Sequence, residues 1–126
     1  GMEGSRVTPQ TVVAVARELN AELGHRLREE AYETALVLEL ERLGACVERQ
    51  RPIKLCSADE EIDLGFVADL LVDQALVVRL CALHRLDPGN EAWVLRQLAL
   101  PGPVAGVYLD FLRPELDVLT VPDHQG

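Results

Sequence analysis

The chain predicts an α/β fold of the α+β kind: a central mixed sheet flanked by helices, with elements in the order ααβββαββ. Three observations predict it. Apolar residues recur at helical spacing twice within residues 8–43. Runs rich in branched residues fill 66–72, 75–83 and 104–112. A third helical stretch separates the last two runs, which makes a crossover to a neighbouring strand the natural connection.

Each element has its own signal. Thr8-Pro9 offers a hydroxyl cap followed by proline at the first helical position, the usual opening of a helix. Val12, Val15, Ala16, Leu19 and Leu23 then share one face, and Gly24 ends the run. A second helix is expected over about 26–43, with Leu27, Ala31, Ala35, Leu38 and Leu43 on its apolar face and Glu30, Glu33 and Glu41 on its wet one; Gly44 supplies the stop. Residues 46–56 read as extended, with Pro52 marking an edge or bulge. Residues 57–63 are polar and acidic and read as a turn. Strands are expected over 66–72 and 75–83, joined by Asp73-Gln74. Asp87-Pro88 starts a third helix reaching about Leu100, closed by Pro101-Gly102-Pro103. Strands over 104–112 and 116–121 complete the sheet. One domain is expected over 8–121. Residues 1–7 form a lead in which Gly1 before Met2 reads as a tag scar, and 122–126 form a loose tail.

Composition narrows the partners. With 126 residues, 48% of them hydrophobic and 26% charged, the chain can build one core of ordinary size. Its 21 acids against 12 bases give a net charge of −9, which disfavours the phosphate neutralisation that nucleic-acid binding requires. Cys46, Cys56 and Cys81 are odd in number and widely spaced, and the three histidines are scattered at 25, 84 and 124. Free, mostly buried thiols in a reducing cytoplasm are therefore expected, rather than a disulfide framework or a structural zinc. There is no charged-then-apolar leader, and the apolar runs fall short of a membrane span.

The most informative stretch runs from Asp69 to Cys81. It reads as a hairpin with an acid on its first strand and a cation, Arg79, and a thiol, Cys81, on its second. Side chains alternate along strands, so pairing through Asp73-Gln74 is expected to bring Asp69 and Arg79 to one side of the sheet. A metal-dependent phosphodiesterase would want a second carboxylate and a lysine there.

Ordered pieces extend this pattern along most of the chain. They are Glu22-Leu23-Gly24; Leu27-x-Glu29-x-x-Tyr32-x-x-Ala35-Leu36; Glu39-Leu40-x-x-Leu43-Gly44; Val47-Glu48-Arg49-Gln50; and Phe66-Val67-Ala68-Asp69-Leu70-Leu71-Val72. Leu86-x-Pro88-x-x-Glu91-Ala92 and Gly106-Val107-Tyr108-Leu109-Asp110-Phe111 follow. In these pieces, over about residues 10–121, the chain resembles the GxxExxxR family, a bacterial and archaeal branch of the PD-(D/E)XK nuclease-like superfamily. The resemblance implies a restriction-endonuclease-like core. It implies a metal held by an Asp on the second core strand and a Glu on the third, a Lys two residues beyond that Glu, and a helical Glu assisting. Asp69 matches the Asp and Glu29 the helical Glu; Arg79 replaces the strand Glu and Cys81 the Lys. Arg26 replaces the name motif's Gly and Glu33 its Arg, while Asn90 and Trp93 stand where a His and a Gln are usual.

The expected function is accordingly that of a catalytically inactive nuclease-fold protein, a pseudoenzyme acting as a structural or protein-interaction module. No catalytic residue and no cofactor are expected; Glu29, Asp69, Arg79 and Cys81 are degenerate site positions. Arg79 is expected to replace the metal by pairing with Asp69, with Glu29 as a further partner, against the alternative that it snorkels to solvent. Cys81 is read as a small hydrophobe and Trp93 as a packing anchor, and Arg85, Arg96 and Arg113 are too dispersed for a phosphate track. One alternative is a divergent nuclease using Mg or Mn, with Asp69 and Glu29 as ligands and others relocated to Asp63, Glu61 or Glu91. Another is a non-catalytic nucleic-acid binder. A protein partner or self-association, no membrane and a cytoplasmic location complete the expectation.

Overall fold

A computed structural model describes residues 7–57, 60–62 and 65–122, with the backbone alone at 57, 61 and 62. The first helix, α1, spans Pro9–Leu23. Thr8 and Thr11 cap it reciprocally: the Thr11 N–H donates to Thr8 Oγ1 at 3.2 Å and the Thr8 N–H to Thr11 Oγ1 at 3.1 Å. It stops at Gly24, whose φ of +77° few other residues adopt.

The second helix, α2, spans Glu29–Arg42, later than the expected start at Arg26. The intervening loop is held by Tyr32, whose hydroxyl donates to the Gly24 carbonyl at 2.7 Å and accepts from the Leu27 N–H at 3.2 Å. The buried face of α2 is Tyr32, Leu36, Val37 and Leu40, not the expected stripe. Leu27 is 41%, Leu38 64% and Leu43 43% exposed, and Ala31 is exposed as well. Apolar residues lie on both sides of this helix, so spacing alone left its phase open. The set with the larger total side-chain volume, led by Tyr32, took the core, where each buried apolar side chain contributes about 1.5–3 kcal/mol. The Tyr32 ring stacks on Phe111 at 4.6 Å between centroids.

Five strands form the main sheet, in the spatial order β1-β4-β5-β6-β7. They are β1 (Val47–Pro52), β4 (Val67–Val72), β5 (Leu76–Leu80), β6 (Ala105–Asp110) and β7 (Asp117–Val121). Among the described residues only β5 and β6 run parallel, and α3 (Pro88–Gln97) crosses between them. The sheet is thus mixed and flanked by helices, as expected. Asp73 and Gln74 carry φ of +53° and +58° in the three-residue connection between β4 and β5, where the Ala75 N–H closes a tight turn on the Val72 carbonyl at 3.1 Å.

Several boundaries differ from expectation. The stretch read as extended over 46–56 divides into β1 and the start of β2 (Leu55–Ser57), and β2 pairs with β3 (Glu60–Ile62), inside the stretch read as a turn, as a small separate hairpin; residues 58, 59 and 63 lie outside the described ones. The strand expected to reach Leu83 ends at Leu80, and Leu83–Arg85 is a 3-10 turn; a short apolar run fits either state. Helix α3 ends at Gln97 rather than Leu100, because Leu98 bridges to Leu55 and the Ala99 N–H donates to the Lys54 carbonyl. The lead and the tail lie outside the described residues except at Val7 and Pro122.

The sheet separates two cores. Val12, Val15 and Ala16 of α1 and Tyr32, Leu36 and Leu40 of α2 pack on Leu70, Val72, Val78, Val107 and Leu109. On the other face Leu95 and Leu98 pack on Ala68, Leu71, Val77 and Val121. Gly106 is required there: a Cβ would lie 2.6 Å from the Tyr108 ring and 2.8 Å from Leu95. Among the described residues, no helix is long and apolar enough to cross a membrane.

Candidate functional site

Asp69 sits where β1, β4 and β5 part from regular pairing. The β1–β4 ladder pairs Arg49 with Leu70 and Arg51 with Ala68 but skips Gln50 and Asp69. The β4–β5 ladder ends at Leu70 and Val78. Alternation along β4 also slips here, since Ala68 and Leu71 both join the α3-side core. The gap is filled by the Asp69 carboxylate. Its Oδ2 accepts the Leu80 N–H at 2.8 Å and its Oδ1 the Gln50 side-chain amide at 3.2 Å.

Gln50 reaches this position through a φ of +49°, a strained backbone for a residue with a Cβ. Its amide also donates to Glu33 Oε1 at 2.9 Å. Glu33, expected on the wet face, is 8% exposed. Arg49 makes that tolerable: its Nε donates to Glu33 Oε2 at 2.9 Å, and a second guanidinium nitrogen lies 2.9 Å from the same oxygen. Glu33, Arg49, Gln50 and Asp69 thus form one network that joins α2 to the sheet.

Arg79 belongs elsewhere, so the expected Asp69–Arg79 ion pair does not form. In β5, Arg79 registers with Tyr108 of β6 and shares the α3 side with Val77. Its guanidinium carbon lies 5.3 Å from the centroid of the Phe66 ring, and its Nη1 lies 3.9 Å from Glu91 Oε1. The separation has a physical cause. Asp69 is drawn edge-on into the gap by the Leu80 N–H, while Arg79 is held over Phe66 by the carboxylate of α3. Arg79 does not snorkel free either, since its charge is matched within the fold. Glu91 is 8% exposed and Tyr108 fully buried. Burial foremost, and Glu91 beside it, push the Tyr108 phenol well above its ordinary range; its hydroxyl makes no hydrogen bond of normal geometry.

Cys81 follows the last residue of β5 and is half-buried. Burial pushes its thiol up to about 11; Arg79 opposes the shift, and Asp69, Glu91 and Glu29 add to it. A thiol held protonated is a poor nucleophile. The expectation of mostly buried thiols is corrected at Cys46 and Cys56, which are exposed; Cys46 precedes the edge strand β1 and Cys56 lies in the small β2–β3 hairpin, outside the main sheet. Trp93 is 48% exposed and anchors no core, because the inward positions of α3 are Glu91 and Leu95.

Glu29 is exposed at the start of α2. Its carboxyl is raised, first by partial burial and then by Asp69, Asp110, Glu30 and Glu33. Asp110 is buried and accepts the Leu112 N–H at 3.0 Å. Proximity is not convergence: among the described residues no three His, Cys, Asp or Glu side chains are placed to hold a metal. The chemistry of the donor set at the implied magnesium position does not suit that ion. One Asp69 oxygen is committed to a backbone donor, and a guanidinium and a neutral thiol replace the other donors. Of the relocated candidates, Glu91 faces Arg79, and Asp63 and the Glu61 side chain lie outside the described residues.

Sequence reasoning missed Gln50 and Glu33, and the true partner of Arg79. A signal for Gln50 was present. Pairing 46–56 antiparallel to 66–72 in the observed register sets Gln50 opposite Asp69. Glu91 carried no comparable signal, because a helix residue finds its strand partner only through the crossover.

Comparison with curated proteins and with solved structures returns no match. A family model described as the PD-(D/E)XK nuclease superfamily matches residues 6–119. Nearly the whole chain is covered, and the mixed sheet with its parallel β5–β6 crossover agrees with that fold. The chain belongs to the PD-(D/E)XK nuclease superfamily.

Proposed function

We propose that this is a catalytically inactive member of the superfamily, from its GxxExxxR branch, serving as a structural or protein-interaction module. One observation carries the reading: on the strands, the positions that would supply metal chemistry are taken up by other partners or hold a neutral thiol. Asp69 caps the Leu80 N–H and takes the Gln50 amide. Arg79 balances the buried Glu91. Cys81 remains a neutral thiol at physiological pH. A magnesium ion would have to strip Asp69 from a part-buried donor and approach a guanidinium, both unfavourable. No cofactor is assigned, and the net charge of −9 argues against nucleic acid as partner.

A divergent metal-dependent nuclease is the second reading. It has one observation in its favour: Glu29 is close enough to Asp69 and Asp110 for both to raise its carboxyl. Cleavage assays on single- and double-stranded DNA and RNA, with magnesium and with manganese, separate the two. Inactivity equal to that of Asp69→Asn is the expected result. Metal-dependent cleavage that disappears in Asp69→Asn would establish the nuclease and end the first reading.

A further inference from the structure

The carboxylates of Asp69 and Glu33 each have one oxygen held by a donor of its own. The Leu80 N–H takes Asp69 Oδ2 at 2.8 Å, and the Arg49 guanidinium takes Glu33 Oε2 at 2.9 Å. The other two oxygens, Asp69 Oδ1 and Glu33 Oε1, both accept from a single nitrogen, Gln50 Nε2, at 3.2 and 2.9 Å. Both neighbours are acceptors, so the amide must present its NH2 group to them and not its oxygen. The β1 strand gives up regular pairing to deliver that group. Gln50 takes a φ of +49° and is skipped with Asp69 in the β1–β4 ladder, a conformation that a residue with a Cβ keeps only where its surroundings hold it.

We propose that Gln50 is the residue that keeps the Asp69 position closed to divalent cations, its amide standing between the two carboxylates that such an ion would bridge. The NH2 group offers both oxygens a positive partial charge, as a cation would, but adds no net charge. Without it, two like charges face each other across the gap between β1 and β4, and a divalent cation becomes the favourable partner. Arg79 does not perform this role, because its guanidinium is turned to Glu91 and Phe66. Gln50 is itself exposed. The closure therefore consists of hydrogen bonds and not of burial, and an ion in solution reaches the carboxylates once the amide is gone. This inference rests on reading Asp69 as a structural acceptor, and it names the group that holds it in that role.

Manganese binding by the full chain, followed by water-proton relaxation, tests it in Gln50→Gly. Glycine suits a φ of +49°, so this variant loses the amide without gaining backbone strain. It should bind manganese saturably and at least about tenfold more tightly than the unmodified chain, the scale of one lost hydrogen bond to a charged group. Gln50→Gly combined with Asp69→Asn should not bind. Gln74→Gly, which relieves a similar φ of +58° in the β4–β5 connection, should behave as the unmodified chain does. Thermal unfolding checks that the variants fold. Proton NMR of the unmodified chain gives a reading that needs no Gln50 variant. The Gln50 side-chain amide protons should exchange slowly and resonate away from those of free amides, and Glu33→Gln should move them back. Free-amide behaviour in the unmodified chain overturns the proposal. A folded Gln50→Gly that stays non-saturating also overturns it, and leaves catalytic silence standing. Saturable binding by the unmodified chain that Asp69→Asn abolishes overturns it together with the reading on which it rests.

Discussion

The α2 side of the sheet and its α3 side each bury a carboxylate, and they satisfy it differently. On the α2 side Glu33 and Asp69 share a network of hydrogen bonds from Arg49, Gln50 and the Leu80 backbone at 2.8–3.2 Å. On the α3 side Glu91 relies on one guanidinium at 3.9 Å, which is steadied by an aromatic ring. Several short bonds in fixed geometry are worth more than one long ion pair of a half-exposed arginine. The difference teaches which of the two positions the fold depends on more. The Asp69 position holds three strands and a helix together, whereas the Arg79 position neutralises a neighbour.

That contrast orders the consequences of substitution. Asp69→Ala leaves the Leu80 N–H and one Gln50 bond unmet and should cost the most, about 2–3 kcal/mol in denaturant unfolding. Asp69→Asn keeps an acceptor and should cost less. Arg79→Met leaves Glu91 buried beside the Tyr108 phenol and should cost about 1–2 kcal/mol, discounted because the arginine is partly exposed. Adding Glu91→Leu should recover most of it; a double variant worse than either single one would break the comparison.

Cys81 reads both sides at once. Iodoacetamide should alkylate it about tenfold or more slowly than the exposed Cys46 and Cys56 near pH 8. Arg79→Met should slow it further and Asp69→Asn should speed it, because the two charges move the thiol in opposite directions. The smallest expected effect is at Glu29. Its carboxyl titrates above its ordinary value in the folded chain, so its ionisation costs stability. That cost is fully present above the raised value and vanishes below the unfolded one. Glu29→Gln should therefore raise the melting temperature slightly at neutral pH, with the gain fading as the medium is acidified.

The architecture was legible because its signals are local. Thr8-Pro9, Gly24, Asp73-Gln74 and Asp87-Pro88 fix turns and caps through their own backbone preferences, and strand periodicity fixes the sheet. The phase of α2 was not legible, since Ala31, Ala35 and Leu38 compete with Tyr32, Leu36 and Leu40 for the same description. The site was legible as a set of positions and not as a set of contacts. Asp69 and Arg79 stand on neighbouring strands where the hairpin put them. A one-residue slip in alternation at Asp69, and a helix residue distant in sequence, nevertheless gave them separate partners. Both effects are non-local, and neither leaves a mark in the spacing of residues 69–81.

The central claim is that Asp69 has passed from metal ligand to structural acceptor. Manganese titration of the unmodified protein, followed by water-proton relaxation beside Asp69→Asn, tests it most directly. A structural Asp69 predicts the same weak, non-saturating response from both proteins. Saturable manganese binding that Asp69→Asn abolishes would contradict it and return Asp69, with Glu29, to the role of metal ligand.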